Sequence, residues 1–320
     1  MTQHDVLGIH HVTAVTSDII ENYNFLTDIL GIRLLKKSVN QDDIHVYHTY
    51  YGDDFGTPGT ALTFFDFPNT PQAKKGTNMI SRIGLRVPTD AALEYYANRF
   101  DEFNVKHDEI TEEFGVKVLR FWDNDEQAYQ LLSDEHNEGM KPGTPWKDSP
   151  VPAEHAIYGL GTVEITVSYF DKFKLILEQL YDMEEIAVDG NRHLFEMGEK
   201  GNGARLVIVD DPDSPAGMPG YGDVHHVAFR LADAKSLKIW EEKYNRMVLP
   251  HSGYVDRFYF ESLYARIGHI LFELATDAPG FMVDEPYETM GEILSLPPFL
   301  EENREEIERV VRPFNTKRSK

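Results

Sequence analysis

Two histidine pairs and one glutamate hold the chemical interest of this chain. His10-His11 lies in GIHHVTAVTSD, His225-His226 in VHHVAFRLAD and Glu273 in LFELATD. There is no cysteine, so a bound metal must be held by imidazole, carboxylate or similar groups, and thiol chemistry is excluded. Two neutral imidazoles and one carboxylate on one side of a divalent cation leave the opposite positions open. Such a donor set suits Fe(II), with Mn(II) as the alternative, and lets a substrate and O2 bind side by side. A lone histidine on a strand is more often a packing residue than a ligand, so His11, His226 and Glu273 gain force only from shared places in a larger pattern.

That pattern is an apolar strand followed by a helix start, repeated four times. His11 precedes Asp18 by seven residues, Ile83 precedes Asp90 by seven and His226 precedes Asp233 by seven. Thr162 holds the matching place in the looser third copy, GLGTVEITVSYFD, with Ser168 or Asp171 as its helix cap. Asp18, Asp90 and Asp233 are expected N-caps, because a short side-chain oxygen can accept from the free N–H groups of the first helical turn. Runs such as IHVYHTYYG and TALTFFDF follow each helix with strand patterning. The expected fold class is therefore α+β, with four βαβββ modules at about 6–70, 78–135, 156–212 and 220–280 forming two cupped-sheet (pseudo-barrel) domains. Pro-rich and polar segments, NTPQAKKGTN and DEHNEGMKPGTPWKDSPVPAEH, read as linkers. The second of them suggests a division into domains 1–150 and 151–320. The tail LPPFLEENREEIERVVRPF predicts a Pro-opened C-terminal helix with Ile307, Val310 and Val311 on one stripe.

In the cup that such units form, residues at one repeat position converge. In the first strands that position is expected to carry His11, Ile83, Thr162 and His226; in the last strands, Asp66, Gln130, an apolar residue of RLVIV, and Glu273. The first and fourth copies supply two histidines and a carboxylate. Thr13, two residues after His11, should share its face, whereas His10 and His225 should point away unless a bulge re-aims them. Tyr264 and Arg257 are candidates to hold substrate oxygen atoms, with His48 a lesser one. His45, His193, His251 and His269 read as structural or surface groups.

GIHHVTAVTSD, VNQDDIHVYHTYYGDDFGTPGTALTFFDFP, VHHVAFRL, DRFYFESLYAR and LFELATDAPGF together resemble the vicinal oxygen chelate superfamily of glyoxalases, bleomycin resistance proteins and extradiol dioxygenases. The similarity spans nearly the whole chain and is nearest to the hydroquinone ring-cleaving dioxygenases. The resemblance implies His11, His226 and Glu273 as iron ligands, with His10, Thr13, His225, Arg257 and Tyr264 as catalytic residues around them. It also implies a cup that opens an aromatic ring with O2. One departure stands out: ARIGHILFE follows Tyr264 where relatives carry a longer charged turn.

Composition bounds the partners. The formal charge is −23, which repels phosphate backbones and anionic headgroups over a Debye length of about 8 Å. Nucleic acid and membrane surfaces are excluded as expected partners, and a small aromatic substrate with O2 is favoured; association into a homo-oligomer is left open. The N-terminal run MTQHDVLGIH lacks the basic and apolar regions of a signal peptide, so a cytoplasmic location is expected. Two other functions share the cup: a glyoxalase-like isomerase or lyase, with four protein ligands and Ni²⁺ or Zn²⁺, and a resistance protein that sequesters an aromatic compound or antibiotic. Asp66 separates the first of these from the dioxygenase, since only a four-ligand site needs it.

Overall fold

The computed structural model describes residues 5–318. Four units succeed one another along the chain. The first contains β1 (Ile9–Thr16), α1 (Ile19–Asn24), β2 (Arg33–Asn40), β3 (Asp43–Gly52) and β4 (Ala61–Asp66). The second contains β5 (Met79–Val87), α2 (Asp90–Phe103), β6 (Thr111–Glu113), β7 (Val116–Trp122) and β8 (Ala128–Ser133). In the third are β9 (Gly159–Val167), α3 (Phe170–Gln179), β10 (Glu184–Asp189), β11 (Arg192–Glu196) and β12 (Arg205–Asp210). The fourth has β13 (Asp223–Leu231), α4 (Ala234–Arg246), β14 (His251–Asp256), β15 (Phe260–Ile267) and β16 (Ile270–Pro279). This is the expected α+β fold of four βαβββ modules in two curled sheets.

Helix starts follow local chemistry. The Asp18 carboxylate accepts from the N–H groups of Ile20 and Glu21, and that of Asp233 from Ser236. In the second unit the cap is Thr89, whose hydroxyl accepts from Ala92; Asp90 is already helical. The third helix has no side-chain cap. Ser168, one of its two expected caps, instead donates its hydroxyl hydrogen to Asn78.

The two eight-stranded sheets do not follow the chain division expected near residue 150. One runs β14-β15-β16-β13-β1-β4-β3-β2 and joins the first and fourth units; the other runs β10-β11-β12-β9-β5-β8-β7-β6 and joins the second and third. β1 pairs antiparallel with β13, and β5 with β9. The chain therefore crosses between sheets twice, at residues 67–78 and 211–222, and these crossings pair through bridges at Gln72–Tyr221, Lys74–Met218 and Thr77–Ala216. One continuous core draws on all four units, including Val12, Ile83, Val163 and Val227 from the first strands and Phe25, Leu93, Phe173 and Trp240 from the helical segments.

After β16 the chain wraps the outer strand of the first unit. Leu294 bridges to Lys37, and the buried Lys36 ammonium lies 2.5 Å from Asp284 and 2.6 Å from Glu285. A 3-10 turn at Pro298–Asn303 leads into α5 (Arg304–Val310). Ile307 is buried against Val39, Leu296 and Leu300, with Val311 packed alongside, but Val310 is 40% exposed and leaves the expected stripe.

Candidate metal centre

The placement of the site begins with an irregularity common to all four first strands. A regular strand alternates faces, so core residues should recur every second position. Here they recur at Ile9 and Val12, Ile80 and Ile83, Leu160 and Val163, and Val224 and Val227, three apart each time. An extra residue is therefore accommodated in each strand, and the ladder between β1 and β13 shifts register at Ile9/His11 and again at Thr13/Ala14, opposite His226/Val224. These are β-bulges, the devices that re-aim side chains beside functional sites. His10 and His225 occupy them, so both rings turn toward their neighbours rather than away.

The same spacing corrects two repeat assignments. With Val12 matched to Ile83, the residue equivalent to His11 is Arg82, not Ile83, which lies in the core. Ladder partners locate the last-strand position: Thr13 faces Thr63, Gly84 faces Gln130, Glu164 faces Val207 and Ala228 faces Glu273. Gln130 holds the expected place, but in the first unit Thr63 is the counterpart of Glu273. Asp66 lies farther along β4, where it accepts from Arg312 Nε at 3.0 Å and holds the C-terminal segment. The second sheet carries Arg82, Thr162, Gln130 and Val207 at these four places, with Arg82 opposite Glu164 and Arg192 2.8 Å from the same carboxylate. Among the described residues the only cluster of His, Asp or Glu able to hold a metal is His11, His226 and Glu273.

In that cluster Glu273 Oε2 lies 3.0 Å from His11 Nε2 and 2.9 Å from His226 Nε2, and the two nitrogens are 3.3 Å apart. Donors arranged cis around a cation at about 2.1 Å stand about 3.0 Å from one another. All three side chains are buried, and Oε2 has no hydrogen bond of good geometry. The other carboxylate oxygen accepts from Ser262 Oγ at 2.5 Å, which fixes the plane of the group. Burial alone would raise the Glu273 carboxyl; the field of His11, aided by His226, overrides it and holds the group well below the usual carboxylate range. These features fit a divalent cation.

Tautomers support the same fit. His10 Nε2 is 3.1 Å from the Thr276 carbonyl, which can only accept, so that nitrogen carries hydrogen. Burial, then His11, lowers the His10 pKa to about 3, and the ring stays neutral. Its Nδ1 must then accept, and the atom 2.9 Å away is His11 Nδ1. His11 Nδ1 therefore donates to His10, so once a cation displaces any proton between His11 Nε2 and Glu273 Oε2 the Nε2 lone pair faces the centre, as a ligand requires. His225 repeats the contact, its Nδ1 lying 2.8 Å from His226 Nδ1.

Around the triad lie side chains from both ends of the sheet. Arg257 Nε donates to the Tyr264 hydroxyl at 3.1 Å, and the Tyr264 ring stands edge-on to His226 at 5.8 Å. Arg257 also meets Asp42 at 3.0 Å, while Gln41 donates to its carbonyl, so the β2–β3 turn reaches across the cup. Tyr50 Oη lies 2.7 Å from His48 Nδ1; His48 Nε2 is 2.9 Å from Thr63 Oγ1, which is 2.7 Å from Thr13 Oγ1. Burial, then His226 and His11, pushes the His48 pKa well below its ordinary value. His45 and His251 are on the surface side, as expected, with partners Asp43 and Asn245. The sequence-based reading missed Ser262, Thr63 and Tyr50, and gave His48 too little weight. Alternation within HTYYG and ESLYAR was available to place His48 and Tyr50, and Ser262 and Tyr264, on shared faces.

The fold and centre define a class. A model of the Glyoxalase/Bleomycin resistance protein/Dioxygenase superfamily matches residues 8–135, and the chain belongs to that superfamily. Within it, the chain is 43% identical over 315 residues to the Bacillus subtilis (strain 168) protein named "Putative ring-cleaving dioxygenase MhqA", covering 97% of this chain and 99% of the relative. It is 30% identical over 314 residues to the chlorohydroquinone/hydroquinone 1,2-dioxygenase of Sphingobium indicum, covering 96% of each. A crystal structure of a "putative dioxygenase" from Bacillus subtilis matches with a TM-score of 0.90 at 32% identity, over 98% of this chain and 99% of the other. Glyoxalase I from Zea mays, at TM-score 0.60 and 14% identity over 84% and 92% of the two chains, shares the fold.

Proposed function

We propose that this chain is an Fe(II)-dependent, extradiol-type ring-cleaving dioxygenase acting on hydroquinone- or catechol-type aromatics with O2. The observation that carries this is the convergence of His11 Nε2, His226 Nε2 and Glu273 Oε2 beside the half-buried Tyr264, Arg257 and His48. The full-length relatives named as ring-cleaving and hydroquinone dioxygenases support it. Mn(II) is the alternative metal, and the protein is expected to work in the cytoplasm. No helix among the described residues is long and apolar enough to cross a membrane.

Bound at the triad, Fe(II) would supply Lewis acidity toward a ring hydroxyl and one-electron chemistry toward O2. The surrounding residues hold and orient. Burial, then Glu273, raises the Tyr264 pKa, so its hydroxyl stays protonated. Because Tyr264 Oη accepts from Arg257, its own hydrogen is available to a substrate oxygen, and the guanidinium stabilises negative charge there. Neutral His48 bonds Tyr50 through Nδ1 and Thr63 through Nε2, and so fixes the Thr63–Thr13 pair beside the ligands. With His226 bound through Nε2, its Nδ1–H would donate to His225 Nδ1, which leaves neutral His225 with hydrogen on Nε2 as a second donor to an oxyanion.

A four-ligand isomerase is disfavoured, since Thr63 stands at the repeat position of Glu273 and Asp66 is engaged by Arg312. The deciding experiment is anaerobic loading with Fe(II), followed by O2 uptake over a panel of hydroquinones and catechols. Ring cleavage with stoichiometric O2 consumption, abolished by a chelator and restored by Fe(II), is the expected result. Turnover restored by Zn²⁺ or Ni²⁺ without O2 consumption would replace the dioxygenase with the isomerase.

A further inference from the structure

A cavity of about 530 Å³ adjoins the centre, and neither the ligands nor Tyr264 line it. Part of its wall continues the face that bears them, and part is the neighbouring end of the core, where Ile80, Val224 and Ile270 reach it. Val15 lies two residues beyond Thr13, Arg266 two beyond Tyr264, Phe67 two beyond Phe65, and Leu271 two before Glu273, and all four line the cavity. Two strand residues advance about 7 Å, so the cavity begins one pleat from the metal position. His225 stands at the join: it lines the cavity and touches His226. The opposite end of the cup is closed, because the Phe260 ring lies 4.9 Å from His11 and 5.3 Å from His10, backed by Tyr259, Tyr50 and Phe281.

A short turn borders the cavity. Ile267 pairs with Ile270, leaving only Gly268 and His269 between β15 and β16. Gly268 has φ of 62°, and a Cβ there would lie 2.3 Å from the Tyr169 hydroxyl, so glycine is needed on both counts. Tyr169 accepts from the His269 N–H and pins the turn, so that His269 and Ile270 form one side of the cavity.

Resting on the ring-cleaving function proposed above, we propose that this cleft is a subsite for a bulky apolar ring substituent, an alkyl or aryl group larger than methyl or a single halogen. Because neither the ligands nor Tyr264 line this volume, it lies beside the place of a ring held at the triad, and about 300–1,000 Å³ is the range that receives drug-sized ligands. Most of the wall is apolar, from Val15, Phe67, Met79, Ile80, Ile270 and Leu271, with Thr70, Asn78, His225 and His269 as its uncharged polar members. Its charged groups are of both signs, Arg266 exposed at the rim and Asp223 buried, so the cleft offers an acidic substituent no consistent field.

The test compares phenylhydroquinone, methylhydroquinone and 2,5-dihydroxybenzoate with the Fe(II)-loaded protein, alongside calorimetry of 4-phenylphenol on the metal-free protein. The wild type should favour the phenyl over the methyl compound by about ten-fold in kcat/KM, and should bind 4-phenylphenol. Leu271→Trp should remove both the preference and the binding while kcat/KM for methylhydroquinone stays within about three-fold. Because Leu271 neighbours Glu273, Phe67→Trp, on a different strand segment, must give the same pattern. An unchanged phenyl-to-methyl ratio in both variants, or a wild-type preference for the carboxylated ring, overturns the subsite. If no hydroquinone is cleaved, the enzymatic proposal fails by itself; binding of 4-phenylphenol that both variants lose would still support the cleft, and its absence would overturn it.

Discussion

Ser262→Ala is the most informative single perturbation of the centre, because it touches no ligand atom directed at the metal. Ser262 and Glu273 are both fully buried, and Ser262 Oγ donates to Glu273 Oε1 at 2.5 Å. A hydrogen bond to a buried carboxylate contributes about 1.5–3 kcal/mol. Part of that is common to the metal-free and metal-bound protein and will appear only as lost stability. The remainder is orientation, since without Ser262 the carboxylate is free to rotate Oε2 away from the two Nε2 atoms. Outer partners of this kind typically contribute 10–100-fold to metal affinity, or about 1.4–2.7 kcal/mol at 1.36 kcal/mol per decade. The expected result is a 10–100-fold weaker Fe(II) dissociation constant, measured anaerobically by competition with a chelator of known affinity. Ser262→Thr, which keeps the hydroxyl, should recover most of it. A Ser262→Ala protein with a lower Tm but a dissociation constant within two-fold of wild type would refute the orienting role and leave Ser262 a packing residue.

Glu273→Gln should abolish Fe(II) binding, whereas Asp66→Asn should keep the metal by elemental analysis and lose roughly 1–2 kcal/mol of stability through the weakened contact with Arg312. Metal loss in Asp66→Asn equal to that in Glu273→Gln would contradict the placement of Asp66. Tyr264→Phe should retain iron but slow turnover by roughly 10–100-fold; single-turnover cleavage at the wild-type rate would remove Tyr264 from the chemistry. The metal-free protein should lose stability as pH falls from about 6.5 toward 3. An unfolded histidine takes up a proton near 6.5, but folded His10 does so only near 3, so unfolding binds protons throughout that window and stability rises with pH. His10→Gln should reduce the slope of the Tm profile between pH 4 and 6.5 without abolishing it, since His225, lowered to about 3 by burial and then His226, and His48, lowered by burial, act in the same window; an unaltered slope would show that His10 does not contribute.

Much of this centre was legible in the chain. The fourfold repeat, the caps at Asp18 and Asp233, and the three donors follow from residue types at fixed spacings, because strand periodicity and helix capping are local rules. The two misplaced residues each trace to strand register. Taking Asp90 for the cap instead of Thr89 shifted the second unit by one position, which on a strand exchanges core and cup and put Ile83 where Arg82 belongs. Asp66 was matched to Glu273 by chain pattern alone, but last-strand register is set by hydrogen bonding to the first strand, and that ladder selects Thr63. Other features were beyond local rules altogether. The pairing of the first unit with the fourth depends on which β-edges meet after two chain crossings, hundreds of residues apart in sequence. The hydroxyl of Ser262 reaches Glu273, and the Thr276 carbonyl sets the tautomer of His10 and through it of His11, only once β1, β13, β15 and β16 lie side by side. Residue chemistry named three donors that converge; the register of four neighbouring strands decided what holds them in place.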